Sequence, residues 1–257
     1  MNRQALDRFY SDNPEELRLA ENGPQQLEFA TAMRLLQKYL PKKAASVLDS
    51  CAGTGRYAFE LAAMGFEVTA GDIVLRNVEL MKIQQQKTPL LKQIYHGDAL
   101  DLSRFEANSF EAVLLMGAMY HLKDAAERQR AVAEAVRVLV KGGLLIISYM
   151  NRYGAILCDS EGSLDNIDEL LRFANEGIEG VFYASTPEEM SELITKGGLK
   201  IICHAALDGV SALMSHNTGL LNTEGLSRWA RYHEHTCEVP SLLGSSYHNI
   251  IIAQKPV

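Results

Sequence analysis

The residues best placed to do chemistry in this chain of 257 residues are three aspartates, each at or just past the end of a short run that reads as a strand. Asp49 closes Val47-Leu48-Asp49 and is followed by Ser50-Cys51-Ala52-Gly53-Thr54-Gly55; Asp72 closes Val68-Thr69-Ala70-Gly71-Asp72; Asp98 sits in Gly97-Asp98-Ala99. A strand that ends in a carboxylate before a glycine-rich turn delivers that side chain to a bound nucleoside. Gly53 and Gly55 let the backbone come close, and the next helix offers its first N–H groups. The sign of the charge selects the ligand. A dinucleotide would bring its pyrophosphate beside Asp49, and like charges about 4 Å apart repel by roughly 4 kcal/mol at an effective dielectric near 20. An amino-acid nucleoside with an ammonium group and no phosphate is attracted instead. The glycines alone decide little, since Gly53-x-Gly55-x-x-Ala58 with Asp72 roughly 20 residues further on also fits the looser dinucleotide fingerprint. Asp49 and Asp98 tip the reading. An Asp49 that merely capped the next helix would explain one carboxylate and not three.

Bringing three carboxylates to one edge requires parallel strands. Helical spacing of Leu27, Ala30, Met33, Leu36 and Tyr39 predicts a helix over 25–40, stopped by Pro41. Strands follow at 45–49, 67–72, 93–96, 112–116 and 144–149, with helices at 57–64, 74–86 and 124–140. The strands are apolar without alternation, which implies burial on both faces. The fold class is therefore α/β: a Rossmann-like, mostly parallel seven-stranded sheet with an antiparallel last strand and helices on both faces. The final third reads as loop and helix over 151–184, a helix over 187–196 behind Thr186 as N-cap, and strands at 199–206 and 249–253. The stretch between these last strands holds a helix near 223–236 and is too long for a hairpin turn. With the last strand antiparallel, both ends of that insertion lie at the carboxyl edge, where open α/β sheets bind ligands. We read one domain: a helical lid over 1–44, a cofactor-binding core over 45–150, an insertion over 151–186 and a cap over 207–246.

Composition narrows the partners. The chain is 47% hydrophobic and 22% charged, with a formal charge of −7. A polyanion meets net repulsion, and no basic patch reverses it, so nucleic acid is not expected as a partner. No apolar run approaches the roughly 20 residues that span a bilayer, and the first residues lack an apolar signal segment, so neither membrane nor export is expected. Cys51, Cys158, Cys203 and Cys237 are scattered without CxxC spacing, which argues against disulfides and zinc and for a reducing cytoplasm. Oligomeric state is not encoded here.

On these motifs the chain resembles the class I S-adenosylmethionine-dependent methyltransferases of small molecules, across essentially its whole length. The segment from Val47 through Gly55 is similar to that family's first motif, in which the acidic residue and the backbone around the glycines hold the methionyl moiety. Asp72, before Ile73, resembles the acidic residue that receives the ribose hydroxyls, and Asp98, before Ala99, the acceptor for the adenine amino group. The stretches 110–116 and 137–144 resemble the fourth and fifth strand motifs, with Gly142-Gly143 ending a helix and turning into a strand. The resemblance implies a cofactor site of Asp49, Cys51, Ala52, Gly53, Gly55, Asp72, Ile73, Asp98, Ala99 and Met116. Tyr10 would join it from a leading segment folded over the cofactor, and S-adenosylhomocysteine would be the product. Cys51 stands where the family usually has glycine and narrows the methionyl room. A role for it as an arsenic or metal ligand would need several converging cysteines, which the spacing does not suggest.

Methyl transfer is an in-line displacement, and alignment alone contributes roughly 7 to 11 kcal/mol. Acceptors that ionise readily need no dedicated base, whereas a poorly acidic hydroxyl benefits from one. Tyr120 and His121, just past the fourth strand, are the first catalytic candidates; His121 is either a base or a lid histidine bonded to backbone, and Tyr120 either flanks the sulfonium or packs. Substrate contacts are expected from Tyr120, Tyr149 and the helical face of Trp229, Tyr232 and His233, which equally suits ordinary packing. His233 and His235 point apart on a helix and make no metal site. The sequence thus points to methyl transfer from S-adenosylmethionine to a small molecule. The alternatives are an RNA or protein methyltransferase, or a non-catalytic cofactor-binding regulator.

Overall fold

Strands that lack polar alternation must be covered on both sides, and the computed structural model, which describes residues 3–12, 24–41, 44–158, 166–211 and 223–257, covers them so. Two helices lead, α1 (Arg3–Asp12) and α2 (Pro24–Tyr39). The core then alternates β1 (Ser46–Asp49), α3 (Arg56–Ala63), β2 (Glu67–Asp72), α4 (Leu75–Lys87), β3 (Gln93–His96), β4 (Phe110–Met116), α5 (Ala125–Val138) and β5 (Leu139–Asn151). After it come α6 (Arg152–Cys158), α7 (Ile167–Glu176), β6 (Ile178–Glu179), β7 (Phe182–Ser185), α8 (Pro187–Lys196), β8 (Lys200–Ala206), α9 (Thr223–Thr236) and β9 (His248–Gln254). Residues 1–2, 13–23, 42–43, 159–165 and 212–222 of the expected lid, insertion and cap lie outside the described residues.

The sheet runs β3-β2-β1-β4-β5 in parallel, and β9 then enters antiparallel between β5 and β8. The chain starts at the centre, moves outward to β3, and returns to the other side of β1 through β4. The crevice at that reversal, between the tips of β1 and β4, is where such sheets bind ligands. One face packs Leu35, Leu36, Leu61 and Met81 of α2, α3 and α4 against Val47, Ile146 and Ile250. The other packs Val132, Val138, Met190 and Ile194 of α5 and α8 against Leu48, Leu145 and Ile251. Each such fully buried side chain contributes roughly 1.5 to 3 kcal/mol relative to exposure, so the two layers fix the strand tips firmly.

The structure corrects the sequence in two places. Helix α5 ends at Val138, and Gly142-Gly143 lies inside β5, where Gly142 takes φ +76° and the register with β4 shifts between Phe110 and Ala112. The glycines therefore shape a bulge instead of ending the helix. Residues 151–184 hold more than loop and helix: the β6–β7 hairpin pairs Met150 with Ala184 and Asn151 with Ser185, extending the tip of β5 and giving a sheet of nine strands among the described residues where seven are expected. Thr186 does cap α8, through a box in which its hydroxyl accepts from Glu189 N–H and the Glu189 carboxylate accepts from Thr186 N–H.

Candidate active site

At the tip of β1, Asp49 is 1% exposed. Its carboxylate accepts from the N–H of Cys51, yet its Oδ1 has no hydrogen-bond partner. Burial, with a smaller push from the Asp72 charge, raises its pKa to about 7 against the Cys51 bond. At the tip of β2, Asp72 Oδ2 accepts from Gly53 N–H at 2.8 Å, and Oδ1 from Val74 N–H at 2.8 Å and Asn77 Nδ2 at 3.2 Å. The Ala52 N–H bonds Gly71 O at 2.9 Å, so the glycine turn is tied to β2 by backbone and side chain together. Gly53 and Gly55 take φ +55° and +94°, which side chains rarely adopt. Ile73 O meets His96 Nε2 at 2.8 Å, and Asp98 Oδ1 accepts from Leu100 N–H at 2.9 Å, with Ala99 buried behind it. Met116 is half-buried at the tip of β4, and Gly117 after it lies over Cys51, whose carbonyl would stand 3.7 Å from a Cβ built there. Burial and the charges of Asp72 and Asp49 push the Cys51 thiol up, so it packs as a neutral thiol. A buried carboxylate oxygen without a partner, among two further carboxylates and a glycine turn, suits a cationic amino-acid nucleoside and disfavours a pyrophosphate.

Beyond β4 a single 3-10 turn, Ala118–Tyr120, presents the next candidates. Tyr120 Oη lies 2.9 Å from Ser148 Oγ. His121 Nδ1 lies 3.2 Å from the carbonyl oxygen of Val181, which can only accept, so Nδ1 carries the proton. Its Nε2 then accepts from the Tyr10 hydroxyl at 2.8 Å. Burial holds the His121 pKa down to about 4, so the ring is neutral around pH 7. Phe9 stacks edge-on against Phe182 with centroids 5.0 Å apart, and Arg76 Nη1 donates to Tyr10 O at 3.1 Å. Helix α1 therefore joins this turn, the β6–β7 hairpin and α4.

Two groups fall away from the expected acceptor pocket. Tyr149 is 1% exposed, packs with Met190 and Ile194 under α8, and meets His204 Nε2 through its hydroxyl at 2.7 Å. It is a core residue and not an acceptor contact. Trp229, Tyr232 and His233 do share a face: Trp229 Nε1 donates to Ser211 Oγ at 2.6 Å, its ring stacks on Tyr232 at 5.3 Å, and buried His233 Nε2 lies 3.0 Å from Leu207 O. They line a small cavity with Ala206, Gly209 and Leu242, and none of its lining residues comes from the tips of β1 to β4. What spacing does not single out is a polar group between α2 and the two ends of the cap: Glu28, Asp208 and His248, joined through His248 Nδ1. The one available signal is that Asp208 and His248 bracket the insertion, whose ends must meet at this edge.

Residues 48–147 match the model of the methyltransferase domain family. Over these residues the chain is similar to known methyltransferases. The chain is 33% identical over 112 residues to the ubiquinone biosynthesis O-methyltransferase of Methylocella silvestris, covering 44% of this chain and 42% of that protein. It is 32% identical over 113 residues to the glycine/sarcosine N-methyltransferase of Aphanothece halophytica, covering 43% and 42%. In both alignments the chain spans under half of the relative's length. Its fold is similar to that of an S-adenosylmethionine-dependent methyltransferase from Methanosarcina mazei, with a TM-score of 0.62 at 20% identity over 87% of this chain and 97% of that one.

Proposed function

We propose that the chain transfers a methyl group from S-adenosylmethionine to a small-molecule acceptor. The observation that carries this is the set of three carboxylates, Asp49, Asp72 and Asp98, at the tips of adjacent parallel strands around a glycine turn. In this reading Asp49 takes the ammonium, Asp72 the ribose and Asp98 the adenine amine, while Cys51, Ala52, Gly53, Gly55, Ile73, Ala99 and Met116 shape the walls. Bound there, the cofactor supplies an electrophilic methyl on a positively charged sulfur. Tyr10 and His121 latch α1 over the edge and exclude water, so that the acceptor is aligned and desolvated. Tyr120, held by Ser148, forms the wall beside the transferred methyl. The curated relatives, an O-methyltransferase and an N-methyltransferase named for small compounds, support an acceptor of that size. Among the described residues no helix is long and apolar enough to cross a membrane, and we propose a cytoplasmic location on the scattered cysteines.

The test is production of S-adenosylhomocysteine by the purified chain against a panel of small acceptors, with RNA and bulk protein as further arms. Product formed only with small acceptors supports the reading. Product formed only with RNA or protein replaces it, and cofactor binding with no turnover in any arm makes the chain a regulator.

A further inference from the structure

The cap carries two soft donors that methyl transfer leaves unused. His233, in the last turn of α9, and Cys237, just past its end, are four positions apart, and the Cys237 N–H donates to His233 O at 2.8 Å, so the two side chains leave the same helical face. Both are buried and both line the small cavity beside Trp229. His233 Nε2 lies 3.0 Å from Leu207 O, which can only accept, so Nε2 carries the proton and the lone pair of the neutral ring falls on Nδ1. Burial lowers the pKa of the ring and keeps it neutral near pH 7. Among the described residues no donor hydrogen-bonds Nδ1. A Cβ built on Gly209 would stand 2.8 Å from that nitrogen, so the bare glycine, which lines the same cavity, keeps it open. Cys237 Sγ donates to Glu234 O at 3.6 Å and receives Arg34 Nη2 at 3.0 Å. A thiol is a weak acceptor for a guanidinium, whereas a thiolate is a strong one. Among the described residues no carboxylate pairs with Arg34, and its buried Nε has no hydrogen-bond partner, so the guanidinium favours the thiolate against the cost of burying it. The cavity measures about 10 Å³, the space of one water-sized atom. Its hydroxyls are already engaged: Ser211 Oγ accepts from Trp229 Nε1 at 2.6 Å, and Thr236 donates to Tyr232 O at 3.0 Å.

We infer that His233 Nδ1 and Cys237 Sγ form a two-ligand site for one soft monovalent cation of the copper(I) class, bound between the cap helix and the end of β8. It goes beyond the methyl-transfer reading and does not depend on it, since no lining residue comes from the tips of β1 to β4. Thiolate sulfur and imidazole nitrogen are the donors that such an ion selects. A structural zinc ion takes four ligands, and two donors around a space for one atom do not supply them. The Leu207 carbonyl on the other ring nitrogen fixes tautomer and orientation, as an outer-shell partner of a ligating histidine does. On binding, the Cys237 thiol proton leaves for solvent and the cation takes its place on sulfur. The net charge of the cap is unchanged, and no electron is transferred. The partner of His233 here is Cys237 and not His235, which is exposed and bonds Arg231 O through Nδ1 at 2.8 Å.

The test titrates the full chain with copper(I), delivered without oxygen from a bicinchoninate buffer, and with silver(I) as its redox-inert stand-in. Trp229 is the sole tryptophan of the chain and lines the cavity, so its emission reads this site directly. We expect one equivalent of either ion to quench that emission. Silver(I) should shift the Nδ1 resonance of His233 in nitrogen-15 NMR while Nε2 keeps its proton, and zinc(II) at the same concentration should do neither. Loss of a ligand costs at least what loss of an outer-shell partner does, so Cys237→Ser and His233→Gln should each weaken binding by about 10–100-fold or more. Cys158→Ser, at an exposed thiol outside the cavity, should leave it intact. Emission and ring resonances unmoved by copper(I) and silver(I) in the wild type, zinc(II) held more tightly than copper(I), or a neutral His233 ring with its proton on Nδ1 overturns the inference without any variant having to fold. Wild-type affinity in either Cys237→Ser or His233→Gln overturns it as well.

Discussion

The tips of β1, β2 and β3 and the tips of β4, β5 and β9 lie along one edge, yet they are built in different ways. The first group uses short-range pieces: Asp72 bonds Val74 and Asn77 two and five residues away and reaches Gly53 only across one βα unit. The second gathers distant segments, with Tyr10 on His121 across 111 positions, His121 on Val181 across 60, and Asp208 on His248 across 40. On the proposed function, recognition of the cofactor is thus written into contiguous sequence. On the same proposal, recognition of the acceptor depends on how lid, hairpin and cap come together, which leaves it free to change while the core stays fixed.

Substitutions on the two sides should therefore behave differently. The largest effect is expected from Asp72→Ala, which removes the proposed ribose acceptor, whose charge-assisted bonds would be worth about 1.5 to 3 kcal/mol each, together with the three bonds by which Asp72 holds the glycine turn and α4. Calorimetry should show S-adenosylmethionine affinity reduced by about a hundredfold or more, and unchanged affinity would detach the β2 tip from the ligand. Next comes Asp49. Its folded pKa of about 7 is raised above the ordinary value near 3.9, so the folded chain keeps a proton that the unfolded chain loses. Stability from this group is fully present below about pH 4 and declines as pH climbs toward 7, by a few kcal/mol at most. Asp49→Asn should remove that decline, raising Tm relative to wild type at pH 8 but not at pH 4, while weakening cofactor binding about tenfold. In the wild type, affinity should rise up to about pH 7 and then level off.

Smaller effects are expected where the lid meets the turn. Tyr10→Phe and His121→Ala each remove the same hydrogen bond, worth about 0.5 to 1.5 kcal/mol, so each should lower kcat/KM for the acceptor a few-fold. The double variant should be no worse than the more damaging single one. Multiplicative losses would show that the pair does not act as one latch. The smallest effect belongs to the start of α8. Thr186→Ala breaks the capping box of α8 and should lower Tm by about 2–4 °C with cofactor affinity untouched.

The same contrast governs what the sequence makes legible. β2 and β3 run over 67–72 and 93–96 as the apolar pattern predicts, and α8 and α9 hold their expected limits, because burial on one or both faces leaves its period in the residues. The β6–β7 hairpin leaves no such mark, being two and four residues long and stabilised by pairing with the end of β5. Tyr149 illustrates the period-two hazard: Ser148 faces Tyr120, so its neighbour faces the opposite layer and reaches His204. Asp208, Glu28 and His248 escape notice for a further reason. Each is unremarkable in its own segment, and only the closure of a 40-residue excursion puts the acid beside the imidazole.

The central claim, that carboxylates at these strand tips grip a cationic nucleoside, is tested most directly by titration calorimetry of the purified chain with S-adenosylmethionine and, separately, with NAD. The account predicts saturable one-site binding of S-adenosylmethionine, weakened in Asp49→Asn, and no binding of NAD. Saturable binding of NAD with none of S-adenosylmethionine would contradict it.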